Sequence, residues 1–272
     1  MGVVINTNIS SISAARTLSN NQDDLRIAME RLSSGKRINS ASDDAAANAV
    51  AAKMRGDIRS LDQAVRNTND AISMVNTFDG ATSEIEQMLV RMRELAVQAS
   101  TTSYETSDLA YANTEFTALK SEIDRISSNT KFNQLALSNQ SFTLQIGPTT
   151  ADTLVVSNAS VSVSGLGMSQ TTTAIGTLAS ATAAISTIDT ALDSLATARA
   201  ASGATINRLN YTVSNLMNVS QRLKEALSGV ADADYAAESA ALARGTVLAQ
   251  AGTAMLAQAN QSPQYVLTLL RQ

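Results

Sequence analysis

The chain has 272 residues, a net charge of −4, 3% aromatic residues, and neither cysteine nor histidine. Those values exclude disulfides, thiol chemistry, imidazole catalysis and His-ligated zinc. They also disfavour broad affinity for nucleic acid, which needs many cationic contacts with phosphate.

Alanine, serine, threonine and asparagine carry much of the sequence. Such small side chains pack helices closely but bring little apolar area each. The composition therefore favours an elongated bundle over a sphere, with part of its burial supplied by partners. The opening "MGVVINTNISSISAAR" lacks a basic leader and a sustained apolar core, so no conventional secretory signal is expected there. Asn6 stands where a myristoylation motif prefers Ser or Thr. No run of about 18 apolar residues is present, so no membrane insertion is expected.

The first helical signal is the heptad spacing of Leu18, Leu25 and Leu32. Ser34-Gly35 can end that helix, and Ser42-Asp43-Asp44 can cap the next through side-chain oxygens. Met54, Ile58, Leu61, Val65, Thr68, Ile72 and Val75 then follow at strict 4-3 steps. Asp79-Gly80 marks a kink or only a local adjustment. Ile85, Leu89, Met92, Ala96 and Ala99 resume the stripe. "STTSYETSD" reads as a loop ending in a cap at Ser107 or Asp108. A further helix carries Leu109, Ala112, Phe116, Leu119, Ile123 and Ile126.

Composition changes after Lys131: between Phe132 and Ile188 the only charged residue is Asp152. Phe142, Leu144 and Ile146 alternate with polar residues, as in a half-buried strand. Gly147-Pro148 makes a turn, and "DTLVVSNASVSVSG" offers one or two more strands. "MSQTTTAIGTLASATAA" is low in complexity and is expected to be exposed at its start.

Helical spacing returns near Ile185 and continues through Leu195, Leu209, Leu216 and Leu227 to Val230. Arg199, Ser202 and Ser220 occupy seam-like positions, where a polar residue can fix register at some loss of stability. The alternative for Arg199 is a side chain that snorkels at the seam edge. Ser228-Gly229 is expected to break the helix, with Asp232 or Asp234 capping the last one. That helix is expected from about Tyr235 to Asn260, with Pro263 limiting its continuation, though a short final turn can restart after it.

Carboxylate pairs such as Asp43-Asp44 and Asp232/Asp234 sit where helices start, and capping explains them better than acid–base chemistry. "RLSSGKR" lacks the glycine spacing and the following Ser or Thr of a phosphate loop. No catalytic residue, metal ligand or cofactor is expected. The fold class expected is mainly α: an elongated antiparallel helical bundle or coiled coil with a small β-hairpin insertion. The weak terminal helices are expected to stay mobile in a monomer and to order against neighbouring copies.

"VINTNISSISAARTL", "RLSSGKRINSASDDAAANAVAAKMR", "AVRNTNDAISMVNTFDGA", "RMRELAVQAS" and "EIDRISSNTKFNQLAL" resemble bacterial flagellin. So do "ADADYAAESAALARGTVLAQAGTAMLAQAN" and "SPQYVLTLL". The likeness covers about Met1–Leu137 and Ile185–Gln272. It implies an inner terminal domain from 1–42 and 231–272, and a helical rod from 43–137 and 185–230. Residues 138–184 are then a hairpin and short insertion with almost no outer domain.

The resemblance implies a subunit that polymerises into the flagellar filament, exported unfolded by the flagellar secretion apparatus and located outside the cell. The partners implied are further copies of the chain, an export chaperone, and the filament cap and hook–filament junction proteins. Polymerisation contacts are expected at Leu18, Leu25, Leu32, Val247, Leu248, Met255, Leu256, Leu267 and Leu270. In flagellins sensed by a host Toll-like receptor, contributing positions fall here on Arg91, Leu95 and Glu115. Lys36, Ser42, Ser262 and Tyr265 depart from the family pattern and leave subtype and local contacts open. The competing readings are a hook–filament junction protein, which would match the long motifs less closely, and an adhesin that binds ligand through the 138–184 insertion.

Overall fold

The computed structural model describes residues 7–170 and 173–270, with residues 263–270 given through their backbone alone. Asn6 and the side chains of Leu267 and Leu270 therefore lie outside the described residues. The elements run α1 (Ile9–Ser34), α2 (Ala45–Ala99), α3 (Thr106–Asn129), β1 (Lys131–Phe132), β2 (Leu135–Ala136), β3 (Ser141–Gln145), β4 (Thr153–Ser157), α4 (Leu178–Ala231) and α5 (Tyr235–Leu270). The protein is mainly α with a small β-hairpin insertion, as its spacing predicts. It divides into two units: Met1–Gly56 with Arg222–Gln272, and Asp57–Gln221.

In the first unit, Asn8 caps α1 by accepting a hydrogen bond from Ser11 N at 3.1 Å. Gly35 ends the helix in the left-handed region, φ 69°, where a Cβ would be strained. Asp43 accepts the N–H groups of Asn39 and Ser40 in the following loop, at 2.9 and 2.8 Å. Those backbone bonds hold its carboxyl below the usual aspartate range. Asp44 accepts from Ala47 N at 2.9 Å and starts α2. At the far end of the chain, Asp234 accepts from Ala236 N and Ala237 N and starts α5. Of the two aspartates expected there, Asp234 is the cap.

The second unit has one core, built from the stripes read in the sequence. Ile85, Leu89, Met92, Ala96 and Ala99 of α2 are buried, with Phe116 and Ile123 of α3 and Ile188, Ala191 and Leu195 of α4. The α2 helix passes through Asp79-Gly80 without interruption. Along it, Thr68 is fully buried and donates to Ala64 O at 2.7 Å, so its hydroxyl is satisfied within its own helix. Strand β3 pairs antiparallel with β4, from Ser141 opposite Ser157 to Gln145 opposite Thr153. Phe142 and Leu144 turn their side chains inward. A second hairpin, β1–β2, turns on Asn133 and Gln134, both at positive φ (47° and 68°). Two left-handed residues in a two-residue loop suit the strand twist.

Several sequence expectations need correction. The α3 helix starts at Thr106, with Glu105 in the cap position and Asp108 accepting from Glu105 N at 3.4 Å. Asp108 thus serves as the third helical residue of a reciprocal cap rather than as the cap itself, and Ser107 does not cap. The α4 helix begins at Leu178, ahead of Ile185, because buried Ala181 and Ala184 extend its packed face with side chains too small to show in a stripe of large residues. It also runs through Gly229 to Ala231. One helical glycine costs only about 1 kcal/mol relative to alanine, which a long packed helix absorbs. Met168 is buried rather than exposed, packed into the core with Val161, Val163, Leu166 and Ile175. Finally, α5 continues through Pro263 to Leu270.

Threonine and serine hydroxyls along the outside of α4 are turned back onto the helix. Thr182, Thr187, Thr190, Ser194, Thr197, Thr205 and Thr212 each donate to the carbonyl four residues earlier, at 2.8–3.0 Å.

Candidate functional site

The first unit pairs α1 with α5 in antiparallel sense. Leu25 lies against Gly245, and Leu18, one heptad earlier, lies against Gly252, one heptad later. A Cβ at 245 would stand 2.8 Å from Leu25 Cγ and Cδ2, and one at 252 would stand 3.2 Å from Leu18 Cδ1. These two glycines are therefore the seats for the two leucines. Asn21, between the leucines, donates to Gly245 O at 2.9 Å. Arg31 pairs with Glu238 at 3.0 Å, and Tyr235 donates its hydroxyl to Leu32 O at 2.7 Å. Main-chain bonds close that end of the pair: Arg37 N to Ala231 O at 2.8 Å and Ala233 N to Gly35 O at 3.0 Å.

Filling one of the glycine seats should separate the helices. Gly245→Val is expected to weaken the pairing by about 1–3 kcal/mol, the usual range for overpacking. Urea titration followed by circular dichroism checks this; an unchanged first transition would contradict it.

The expected polymerisation residues divide into two groups. Leu18, Leu25, Leu32 and Leu256 are half-buried. Val247, Leu248 and Met255 point outward, 65%, 51% and 64% exposed. Ile9, Ile12 and Met29 on α1 are exposed as well, at 67%, 61% and 56%. The sequence reading missed these three because they lie off the Leu18–Leu25–Leu32 line. Clusters of large exposed apolar side chains mark surfaces that meet a partner.

In the second unit, Arg91 and Glu115 come together at 2.9 Å between α2 and α3, and Arg91 also meets Glu94 at 3.0 Å. The two carboxylates, Glu115 foremost, hold the guanidinium above its ordinary value. Leu95, one turn along α2 from Arg91, is buried in the core. Arg91 and Glu115 are thus surface groups that already pair with each other, whereas the Leu95 side chain belongs to the packing.

Ion pairs and a serine tie α2 to α4. Arg93 bonds Asp189 at 2.6 Å, Ser220 donates to Asp62 at 2.9 Å, and Arg199 reaches both Asp79, at 3.3 Å, and Glu86. The order of these contacts along the two helices is antiparallel. Arg199 is a bridging residue that spans two carboxylates of the facing helix. All three groups keep about a third or more of their side-chain surface in water, which limits the gain. Arg199→Ala is expected to lower stability by about 1 kcal/mol at low salt and by less in concentrated salt. Chemical unfolding at two ionic strengths measures both.

A polar cluster on α3 holds the segment between β4 and α4. Lys120 is 1% exposed, and its ammonium donates to the carbonyls of Ser169, Gln170 and Thr173 at 2.7, 2.9 and 2.8 Å. Burial pushes its pKa down, while the nearby Asp124 carboxylate pushes it up. Asp124 accepts from Val163 N at 2.8 Å and from the Gln170 amide. Asn113 accepts from Ile175 N at 3.0 Å. The sequence shows no sign of this cluster, because each residue bonds to main chain whose position only the fold determines.

Among the described residues, no group of three or more acidic, histidine or cysteine side chains is placed to hold a metal ion. The fold and the paired ends define a mainly helical protein that leaves apolar surface on its terminal helices. The family model described as the bacterial flagellin N-terminal helical region matches residues 5–143, and that of the C-terminal helical region matches residues 185–270. Flagellin of Halalkalibacterium halodurans is 42% identical over 272 residues, covering 99% of this chain and all of the relative. Flagellin of Bacillus subtilis is 36% identical over 302 residues, covering 98% and 99%. The crystal structure of Bacillus cereus flagellin superposes with a TM-score of 0.50 at 31% identity, covering 56% of this chain and 88% of that one. The chain belongs to the bacterial flagellin family.

Proposed function

We propose that this chain is the structural subunit of a bacterial flagellar filament, outside the cell, working mechanically as part of a helical homopolymer. The observation that carries the reading is the paired termini. Their seam is filled by Leu18 and Leu25 on glycine seats, yet Ile9, Ile12, Val247, Leu248 and Met255 remain largely exposed. Leaving that much apolar surface in water is unfavourable, at roughly 25 cal/mol for each Å² that a neighbour could cover. A filament supplies neighbours without closure, because one face of a subunit meets a different face of the next.

In this reading residues 1–42 and 231–272 form the inner layer, residues 43–137 and 185–230 the rod, and 138–184 a short insertion. Export in an unfolded state suits a chain with no disulfide to form, and the terminal pair gains its full order only among other copies. An export chaperone, the cap and the hook–filament junction proteins are the further partners. Arg91 and Glu115 form the charged part of a surface suited to a host Toll-like receptor, with Leu95 behind it. Negative-stain microscopy of purified protein under polymerising conditions tests the function. Long helical filaments are the expected result, and protein that stays monomeric throughout would overturn it.

A further inference from the structure

We infer that Asn8 is a positioning residue that fixes α1 and α5 in a single register, through a main-chain carbonyl that Pro263 leaves without a helical donor. In a continuous α-helix the carbonyl of residue 259 accepts from the N–H of residue 263. Here residue 263 is proline, which has no N–H, and α5 nevertheless runs on to Leu270. The Ala259 carbonyl receives instead the side-chain amide of Asn8, at 2.7 Å.

The other end of the same amide accepts from Ser11 N and caps α1. Both functions of one asparagine are therefore used, one on each helix. Beside it Ser11 donates its hydroxyl to Asn260 at 2.6 Å. Leucine–glycine contacts repeat every heptad along this pair and would be partly restored by a slip of one repeat. The proline occurs once in α5, and so does the carbonyl it frees. Asn8 can meet it in one register only. Pro263 therefore serves the pairing through the acceptor it exposes on α5. The bearing of this device on assembly rests on the function proposed above; its role in register does not.

The absence of cysteine makes the register measurable. A Cβ at 252 would lie 3.8 Å from Leu18 Cβ, close to the roughly 3.8 Å spacing usual in a disulfide. Leu18→Cys with Gly252→Cys in the full chain reports, by its rate of oxidation, how often the pair occupies this register. Four backgrounds are compared: the parent, Asn8→Ser, Pro263→Ala, and the two together. Serine keeps a capping oxygen but is too short to cross to α5.

Asn8→Ser is expected to slow oxidation about two- to tenfold, the effect one hydrogen bond supports. In the Pro263→Ala background, where the N–H that alanine supplies takes back the Ala259 carbonyl, Asn8→Ser is expected to slow oxidation little further, because the acceptor that marks the register is already occupied. A parental rate in Asn8→Ser, or the same slowing by Asn8→Ser whether residue 263 is proline or alanine, overturns the inference. A general loss of α1 structure would slow oxidation equally in both backgrounds and so falls on the overturning side. Filament assembly of the cysteine-free parent is scored separately, so its failure would count against the function and leave the oxidation comparison intact.

Discussion

Removal of Gln250–Gln272 is expected to abolish filaments under conditions in which the full chain assembles, while leaving the second unit folded. The deletion takes away the Gly252 seat of Leu18, exposed Met255, and the Ala259 and Asn260 groups that bond Asn8 and Ser11. The first half of α1 then has no partner, and an isolated helix of that length is marginal in water. No residue of the second unit, Asp57–Gln221, is lost. Electron microscopy reads the first effect and circular dichroism the second. Filaments of normal appearance from the truncated chain would refute the proposed role of the terminal pair.

Lys120→Met is expected to destabilise the second unit by about 2–4 kcal/mol, because three part-buried carbonyls lose a charged donor while the side-chain stem is kept. Lys120 is the donor to three carbonyls of one segment, at Ser169, Gln170 and Thr173. Met168 and Ile175, which flank those carbonyls, are packed into the core. Freeing the segment should uncover them. Urea unfolding gives the loss of stability, and limited proteolysis within 160–177 gives its location. A variant with the parental midpoint and the parental cleavage pattern would show that the ammonium adds nothing to the packing of those side chains.

The long helices were legible because their large apolar residues repeat every three or four positions. Every residue from Met54 to Val75 in the predicted stripe is buried or half-buried. What escaped was encoded by small or polar residues. Ala181 and Ala184 extend α4 backwards with side chains that carry little hydropathy signal. The segment from Met168 to Ile175 looks like an exposed tract because its polar residues outnumber its apolar ones. The buried Met168 and Ile175 flank main chain held by Lys120, and Asp124 holds the segment as well, both about forty to fifty residues earlier in the chain. Pro263 reads locally as a limit to α5, and the distant Asn8 bonds the carbonyl it leaves without a helical donor.

The candidate surface was half legible for the same reason. Leucine heptads identify the inner seam of the terminal pair, with Leu18 and Leu25 as its knobs. They do not reveal Ile9, Ile12 and Met29, whose exposure emerges only once α5 is laid against the opposite side. Likewise the motif around Arg91 indicates residue types but not that Arg91 and Glu115 are joined, or that Leu95 faces the core.

The back-bonded hydroxyls on α4 bear on how a neighbouring rod could move. Each such Ser or Thr has a single O–H and has already committed it to its own helix. An adjacent surface meets methyl groups and oxygen lone pairs there, with few donors for which a particular alignment is compulsory. Sliding along that strip by an ångström or two breaks few directional bonds, so alternative packings can lie close in free energy. Low friction between rods would allow a stiff tube to change its curvature without any rod unfolding.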